Sequence, residues 1–418
     1  MKPLIFIIIL VLLSFAAVSA QGDACEPASG EPLRIGAIFP SGVLFSASVA
    51  DSFQGVEAMR LAVNACGGVA GRPVEWTLEP AGDRGDAYQA VRRLVEAGIP
   101  AIVGGGTPAA SAGAREAAEI AGVFYWDATE AVDLPGEWSF APRANSQQLG
   151  RMAAAFAAEH FSGDHGLRVA LVYDSSDRSR AIARGVRRTL NAAPIIDYNI
   201  GEEGGDMYAL ARRIRGADID ALILSVPYID GYTLWWMLRE ANANVGAWID
   251  IGTQGYRQRL CDELVNLDGF ISLGAVGEVN ADYRAGLGDV PRLYRRQYVR
   301  SYGSQPTETA DLAASGVYLL LRHVLPRVEA EYTPESIRAA ALSVDLTDVG
   351  LLGEGLALQD DGTNAAASAI FRQQQGSRYC TVAPSSVATC FAPPMSFPTW
   401  RERAVQSASR NFTCEPPT

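Results

Sequence analysis

The residues of this sequence that could do chemistry lie in short segments that directly follow compact apolar runs. Ser41 and Phe45 come after the run that ends at Phe39. Thr107 comes after three consecutive glycines, 104–106, and adds a hydroxyl to the free backbone N–H groups of such a loop. These groups suit noncovalent capture of a carboxylate or another polar group. An alternative is that the glycines only form a tight turn.

A second group of candidates follows the next apolar run. Trp126, Asp127, Thr129 and Glu130 place aromatic, acidic and hydroxyl groups at the end of a predicted strand. They are predicted to contact a ligand. The alternative is that Trp126 is a core residue and Asp127 a helix cap.

Matching segments in the second half of the chain contain Arg178, Tyr228 and Gln254, which are also predicted ligand contacts. A nearby aromatic stripe consists of Tyr232, Trp235 and Trp236. The spacing from Tyr232 to Trp236 suits one helical face, and we assign the stripe to core packing.

No recognised catalytic arrangement accompanies these residues. The sequence contains no nucleophile elbow, and its three histidines, His160, His165 and His323, stand apart from the cysteines. The glycines at 104–106 match neither a dinucleotide nor a phosphate fingerprint. We therefore predict no enzyme, no metal and no cofactor. A hydrolase with paired carboxylates stays an alternative, because a sequence does not show how far apart acidic groups lie.

The elements that must position these segments alternate between strands and helices. Such alternation predicts βαβ units and parallel sheets covered on both faces. The predicted strands include Leu33–Phe39, Val74–Leu78, Ala101–Val103, Ala247–Ile251 and Phe270–Leu273, and the predicted helices include Ala87–Ala97, Ala109–Ala121, Leu293–Tyr302, Thr309–Val328 and Pro334–Ser343.

The order of elements also repeats. The strand Leu33–Ile38 is echoed by 167–172, and the spacing from Arg93 to Ile102 equals the spacing from Arg213 to Leu222. The repeat predicts two lobes of one topology. Later elements exceed the needs of a second lobe, so some are predicted to return to the first.

Composition limits the partners and the compartment. The chain has 418 residues, 48% of them hydrophobic, and a formal net charge of -12, which disfavours nucleic acid. Residues 1–20 have the basic start, short apolar run and small-residue end of a cleaved signal peptide, with Gln21 as the first mature residue. Cleavage would remove Lys2, the only lysine, and with it any Schiff-base chemistry. The mature chain is expected to be soluble outside the cytoplasm.

The six cysteines are an even set, which favours structural disulfides in an oxidising compartment. Cys380 and Cys390 bracket a short segment and are predicted to pair, and the other pairings stay open. The Pro- and Ser-rich tail, 383–418, is predicted to be a disulfide-pinned extension.

Several motifs resemble the type I periplasmic binding proteins, and among them the Leu/Ile/Val-binding group. The resemblance covers about Leu33 to Phe371. The motifs are Ile35–Gly42, Asn64–Val69, Gly71–Val74, Ala101–Gly104, Val172–Asp174, Ile219–Ala221 and Thr309–Asp311.

This resemblance implies an α/β fold of two lobes, each a parallel sheet flanked by helices, with three hinge crossings near Arg143, Ala275 and Gly350. Lobe 1 would comprise 31–143 plus 276–350, and lobe 2 would comprise 144–275 plus 351–382. It further implies a solute-binding component of an ABC transporter that hands a small molecule to an inner-membrane permease. A monomer is expected.

The resemblance also implies roles for individual residues. Thr107 and Pro108 stand where a Ser/Thr pair usually binds the ligand carboxylate, and Thr129 with Glu130 falls near a second such place. Gln254 stands where an acid for the ligand ammonium is typical, and Arg178 near a usual tyrosine. Losing that acid argues against an ordinary α-amino acid.

An apolar or aromatic solute with one polar or anionic end is the other interpretation of these residues. A ligand sensor or a carrier for lipid-like solutes on the same fold is the alternative function.

Overall fold

A computed structural model of the chain describes residues 25–40, 47–129, 136–190, 193–251, 255–263, 265–274, 288–390 and 392–409. The predicted signal peptide, the predicted crossing near Ala275 and four of the predicted ligand contacts lie outside these ranges. Those four contacts are Ser41, Phe45, Glu130 and Gln254.

The first sheet is parallel throughout and has the strand order β2-β1-β3-β4-β5. Its inner strands are buried on both faces, which explains why they read as continuous apolar runs. The strands are β1 (Leu33–Ile38), β2 (Val74–Leu78), β3 (Ala101–Gly104), β4 (Phe124–Asp127) and β5 (Ser139–Phe140), and the helices between them are α1 (Ala47–Ala65), α2 (Arg84–Glu96) and α3 (Pro108–Ala121).

The second sheet repeats this order with β7-β6-β8-β9-β10 and then adds two antiparallel strands, β13 and β14, beside β10. The repeated order is the topology that the sequence repeat predicts. The strands are β6 (Val169–Tyr173), β7 (Ile196–Asn199), β8 (Ile219–Ser225), β9 (Val245–Ile251), β10 (Phe270–Gly274), β13 (Ile370–Gln375) and β14 (Arg378–Ala383), and the helices are α4 (Ser146–Phe161), α5 (Asp177–Thr189), α6 (Met207–Arg215), α7 (Tyr228–Glu240) and α8 (Gly255–Asp262).

Later elements return to the first sheet, as predicted. Tyr294, Val317 and Ile337 lie in the same buried cluster as Ile35. The returning elements are α9 (Val290–Tyr302), α10 (Glu308–Leu319), α11 (Pro334–Leu342) and a small hairpin of β11 (Asp345–Leu346) and β12 (Leu356–Ala357).

Two sequence predictions need correction here. The single helix predicted over Thr309–Val328 ends at Leu319 and continues as a π-helical turn and a 3-10 turn. Pro326 explains the change, because proline lacks the N–H of a regular helix and its ring crowds the preceding turn. Leu351 and Leu358, predicted to belong to lobe 2, pack in the first cluster, because the hairpin holds them there.

The described cysteines form two disulfides whose partners are both described. Cys380 pairs with Cys390, which confirms that prediction, and Cys25 pairs with Cys66. The second bond ties the start of the described chain to the end of α1. Among the described helices, none has both the length and the apolar character that a membrane span requires.

Replacing Cys25 and Cys66 with serine is expected to lower the free energy of unfolding by about 2–4 kcal/mol, because the disulfide restricts the unfolded chain. Urea unfolding followed by tryptophan fluorescence measures the change. A Ser29→Ala variant, which leaves the disulfide intact, is the control. An unchanged midpoint in the double variant would contradict the assigned role.

Candidate functional site

Three loops of the first sheet meet at the carboxyl ends of β1, β3 and β4, where ligands bind in open α/β sheets. The backbone N–H of Gly106 donates to Thr129 Oγ1 at 2.8 Å. Gly105 and Gly106 both have positive φ, and a Cβ at these two positions would collide with the Thr129 hydroxyl and the Pro40 ring, respectively. The sequence therefore needs glycine here, because only glycine lets these loops approach each other so closely. We call Gly105, Gly106 and Thr129 the rim.

Thr107 holds this rim in place. It is the N-cap of α3, accepting from Ala110 N at 3.1 Å, and its hydroxyl donates to the carbonyl of Gly82 at 3.0 Å. Its one hydroxyl proton is therefore already used. In this structure Thr107 shapes the loop and does not offer the hydroxyl donor that the sequence analysis assigned to it.

Asp127 lies at the end of β4 and is fully buried. Its carboxylate accepts from Thr129 N at 3.2 Å and from the Tyr125 hydroxyl at 3.3 Å. Burial and the nearby Asp127 charge raise the pKa of Tyr125 well above its usual value, so this tyrosine stays protonated as a donor. Asp127 thus orients the loop that carries Thr129.

Trp126 is a correction to the predicted site. Its side chain is fully buried in the first core, its ring stacks near Phe124, and its indole N–H donates to the carbonyl of Gly316 at 3.0 Å. Side chains alternate across a strand, so Trp126 points into the sheet–helix interface. It is not carried into the proposed site.

The second sheet presents polar loops at the corresponding ends of its strands. Asp174 follows β6 and accepts from the backbone N–H and the hydroxyl of Ser176, the N-cap of α5. Burial acts to raise the pKa of Asp174, but the hydrogen bonds from Ser176 and Ser179 outweigh it, and the pKa falls. Arg178 is exposed beside this carboxylate.

Tyr228 begins α7 and is half-buried. Its ring lies parallel to Tyr232 at 6.5 Å, and Arg259 stacks on Tyr232. Of the three aromatic residues assigned to core packing, Trp235 is fully buried, which confirms the interpretation for that residue. Tyr228, Tyr232 and Trp236 are partly buried and pack against the core of the second sheet. Tyr228 therefore begins an aromatic row on α7 and does not belong to the glycine loops of the first sheet.

Sequence reasoning missed two buried arginines near the boundary of the two halves. Arg257 lies in the first turn of α8, the helix that follows β9, and Arg372 lies on β13. Arg372 forms an ion pair with Glu308, the first residue of α10. This pair joins a strand of the second sheet to a helix that packs on the first. The one available signal was the position of Arg257, just three residues after Gln254.

A second buried ion pair lies where the chain passes between the sheets. Arg143, between β5 and α4, pairs with Glu354, and each side chain is 3% exposed. Glu354 also accepts from Ser315 at 2.9 Å, and Arg143 donates to the carbonyl of Leu312. We call these four residues the crossing network. No group of three or more potential metal ligands occurs within the described ranges.

Comparison with known proteins gives a consistent result. The family model described as periplasmic binding protein matches residues 32–378. The Leu/Ile/Val-binding protein homolog 7 of Brucella abortus (strain 2308) is 22% identical over 402 residues, covering 91% of this chain and 97% of that protein.

Two solved structures show the same fold. The branched-chain amino acid transporter substrate binding protein LivJ from Streptococcus pneumoniae, in complex with isoleucine, superposes with a TM-score of 0.58 at 18% identity, covering 84% of this chain and 98% of LivJ. The fatty acid ABC transporter substrate-binding protein from Thermomonospora curvata has a TM-score of 0.58 at 16% identity and covers 94% of this chain and 98% of its own.

Proposed function

This chain belongs to the periplasmic binding protein family, and from that premise we propose that it captures a small solute between its two halves and delivers it to an inner-membrane ABC permease. Members of the family bind solutes and are not enzymes. In this proposal the protein is a monomer, and its two halves close on the solute by a hinge motion.

The observation that carries the proposal is the rim formed by Gly105, Gly106 and Thr129. Close approach of these loops holds polar groups in fixed positions at the carboxyl ends of parallel strands, where open α/β sheets bind ligands. The second sheet repeats the strand order, and in this proposal its loops supply the polar groups on the other side of the solute. Binding from both sides would stabilise a closed form.

Thr129→Val is expected to weaken solute binding at least tenfold. The change removes the acceptor of the Gly106 N–H, so the glycine loop is no longer fixed in position by that hydrogen bond. The solute is first found by thermal-shift screening of the protein amino acids, aromatic acids and fatty acids of four to twelve carbons. Isothermal titration of the hit then compares the variant with the wild type.

Thr189→Val is the matched control, since the Thr189 hydroxyl donates only to a carbonyl within α5, far along the chain from the rim. It should bind as the wild type does. Equal affinity in the Thr129 and Thr189 variants would remove the rim from the proposed site.

A carrier for lipid-like solutes is the second candidate. The fatty acid-binding structure covers 94% of this chain, compared with 84% for the isoleucine-bound one. The same screen separates the two, because a fatty-acid hit without amino-acid hits favours the carrier, and the reverse favours amino-acid capture.

We also propose how the protein is exported to its compartment. Residues 1–20 would direct export and be cleaved before Gln21, leaving the mature protein in the periplasm. Mass spectrometry of the protein recovered from a periplasmic fraction tests this directly.

A further inference from the structure

A cluster of buried polar residues lies on one face of β13 and β14. Arg372, Gln374 and Tyr379 share that face, because alternate residues of a strand and directly paired residues point the same way. Arg257 of α8 reaches over the same face. Its guanidinium carbon is 3.7 Å from the centre of the Tyr379 ring, and that of Arg372 is 4.3 Å from it.

Among the described residues, the charges in this cluster do not balance. Glu308 pairs with Arg372. Arg257 has no carboxylate partner among the described residues, and its Nη1 donates to the neutral side-chain oxygen of Gln374 at 3.2 Å. The Nε of Arg257 is buried with no hydrogen-bond partner, and the residue is 2% exposed. Within the part of the chain that the structure describes, two guanidinium groups thus share a single negative charge.

Such an arrangement is costly in the absence of another anion. A buried charge is tolerated when it is paired and hydrogen-bonded, and an unpaired one is strongly unfavourable. Burial lowers the pKa of Arg257, and the positive charge of Arg372 acts in the same direction. Groups whose pKa is shifted by burial and by a neighbouring charge are concentrated at functional sites.

We propose that Arg257 and Arg372 form a subsite that binds the carboxylate group of a small organic solute. The proposal rests on the proposed solute-binding function and deepens it by naming the chemical class. The unused Nε–H of Arg257 lies on the edge of the guanidinium that engages carboxylates through two parallel hydrogen bonds. The carboxylate would supply the negative charge that the cluster lacks.

The cluster lies where a solute could reach it when the two halves separate. Glu308 begins a helix that packs on the first sheet, whereas Arg257 and Arg372 belong to the second. Separation of the two halves would break the Glu308–Arg372 pair and uncover both arginines. Closure over a bound carboxylate would then bury a balanced set of charges.

The test compares carboxylates with their neutral amides. Isovalerate and isovaleramide, octanoate and octanamide, benzoate and benzamide, and L-leucine and L-leucinamide are titrated into the wild type, Arg257→Gln and Arg259→Gln. Arg259 is the matched control, because it lies on the same helix and stacks on a tyrosine, yet is exposed. The pairs also distinguish an amino acid from a fatty or aromatic acid.

The expected result is that at least one carboxylate binds the wild type at least tenfold more tightly than its amide. Arg257→Gln should lose at least tenfold in affinity for that carboxylate, with little change for the amide, and Arg259→Gln should match the wild type. Equal affinity for the carboxylate in Arg257→Gln and the wild type would overturn the subsite. Amides that bind while carboxylates do not would overturn the subsite and leave the solute-binding function standing. Binding of none of the probes, nor of any compound in the wider thermal-shift screen, would overturn both.

A second measurement needs no ligand. Arg257→Met should raise the melting temperature of the solute-free protein, because it removes an unpaired buried charge while keeping an apolar stem over Tyr379. A purely structural arginine would give the opposite sign. A melting temperature lowered by several degrees would therefore overturn the proposal.

Discussion

Replacing Glu354 with alanine is expected to lower the free energy of unfolding by about 3–5 kcal/mol, because the change leaves Arg143 buried without its counter-charge. Both side chains are 3% exposed, so water cannot take over the role of the lost carboxylate. Two further donors, the Ser315 hydroxyl and the backbone N–H of Leu352, would lose their acceptor as well. Chemical denaturation of the purified variant measures the loss.

An exposed ion pair of the same chemistry is the control. Arg84 Nη2 lies 2.7 Å from Glu116 Oε2, and the two side chains are 67% and 45% exposed, respectively. Glu116→Ala should cost at most about 1 kcal/mol, because solvent screens such a pair. A cost for Glu354→Ala as small as that of Glu116→Ala would show that the crossing network contributes little to stability.

The double variant Arg143→Met/Glu354→Leu should be more stable than Glu354→Ala alone. Removing both charges replaces an unpaired buried cation with apolar contacts. A double variant that is less stable than the single would contradict the charge-pairing explanation.

Trp400→Ala is expected to cost about 3–5 kcal/mol, the range for truncating a large buried aromatic side chain. Trp400 begins α12 (Trp400–Ser409) and packs edge-on against Trp235 at 5.2 Å between ring centres. Its indole N–H donates to the carbonyl of Ala243 at 2.7 Å. The C-terminal segment is therefore part of the second core.

Trp236→Ala is the matched control, since Trp236 lies next to Trp235 on α7 but is only half-buried. It should cost at most about 1 kcal/mol. Equal losses in the two variants would show that α12 is not anchored through Trp400.

Arg403 gives a further reason to expect a large loss of stability when Trp400 is replaced. Its guanidinium lies 3.7 Å from the centre of the Phe397 ring and donates to the carbonyls of Asn266 and Asp268. Burial lowers the pKa of Arg403 to about 9, which shows the cost of placing this cation in the core. The carbonyl oxygens and aromatic faces offset that cost. Arg403 lies on the same helix as Trp400, so we expect the loss of Trp400 to weaken these contacts as well.

Local patterns were enough to predict most of the scaffold. The strand Val74–Leu78 has the predicted bounds, and the repeated helix-to-strand spacing corresponds to two sheets of the same order. These features depend on periodicity within a few residues, which a sequence shows directly. The extra antiparallel strands depend on distant packing and were not predicted. The interruption after Leu319 was not predicted either, although Pro326, seven residues further on, is a local signal for it.

The site was harder to predict for the same reason. Thr129 was predicted to be a ligand contact. In the structure its hydroxyl oxygen accepts a hydrogen bond from the backbone N–H of Gly106, in the glycine loop. Trp126 could not be distinguished from a cleft residue, because its partner, Gly316, lies 190 residues further along the chain. The imbalance at Arg257 likewise becomes visible only when β13 and α8 are brought together.

The measurement that tests the central claim most directly is small-angle X-ray scattering of the wild-type protein with and without the solute found by thermal-shift screening. Capture between two halves predicts that one equivalent of solute lowers the radius of gyration, and that Thr129→Val needs at least tenfold more solute for the same change. Saturating binding with an unchanged scattering curve would contradict the claim that the halves close on the solute.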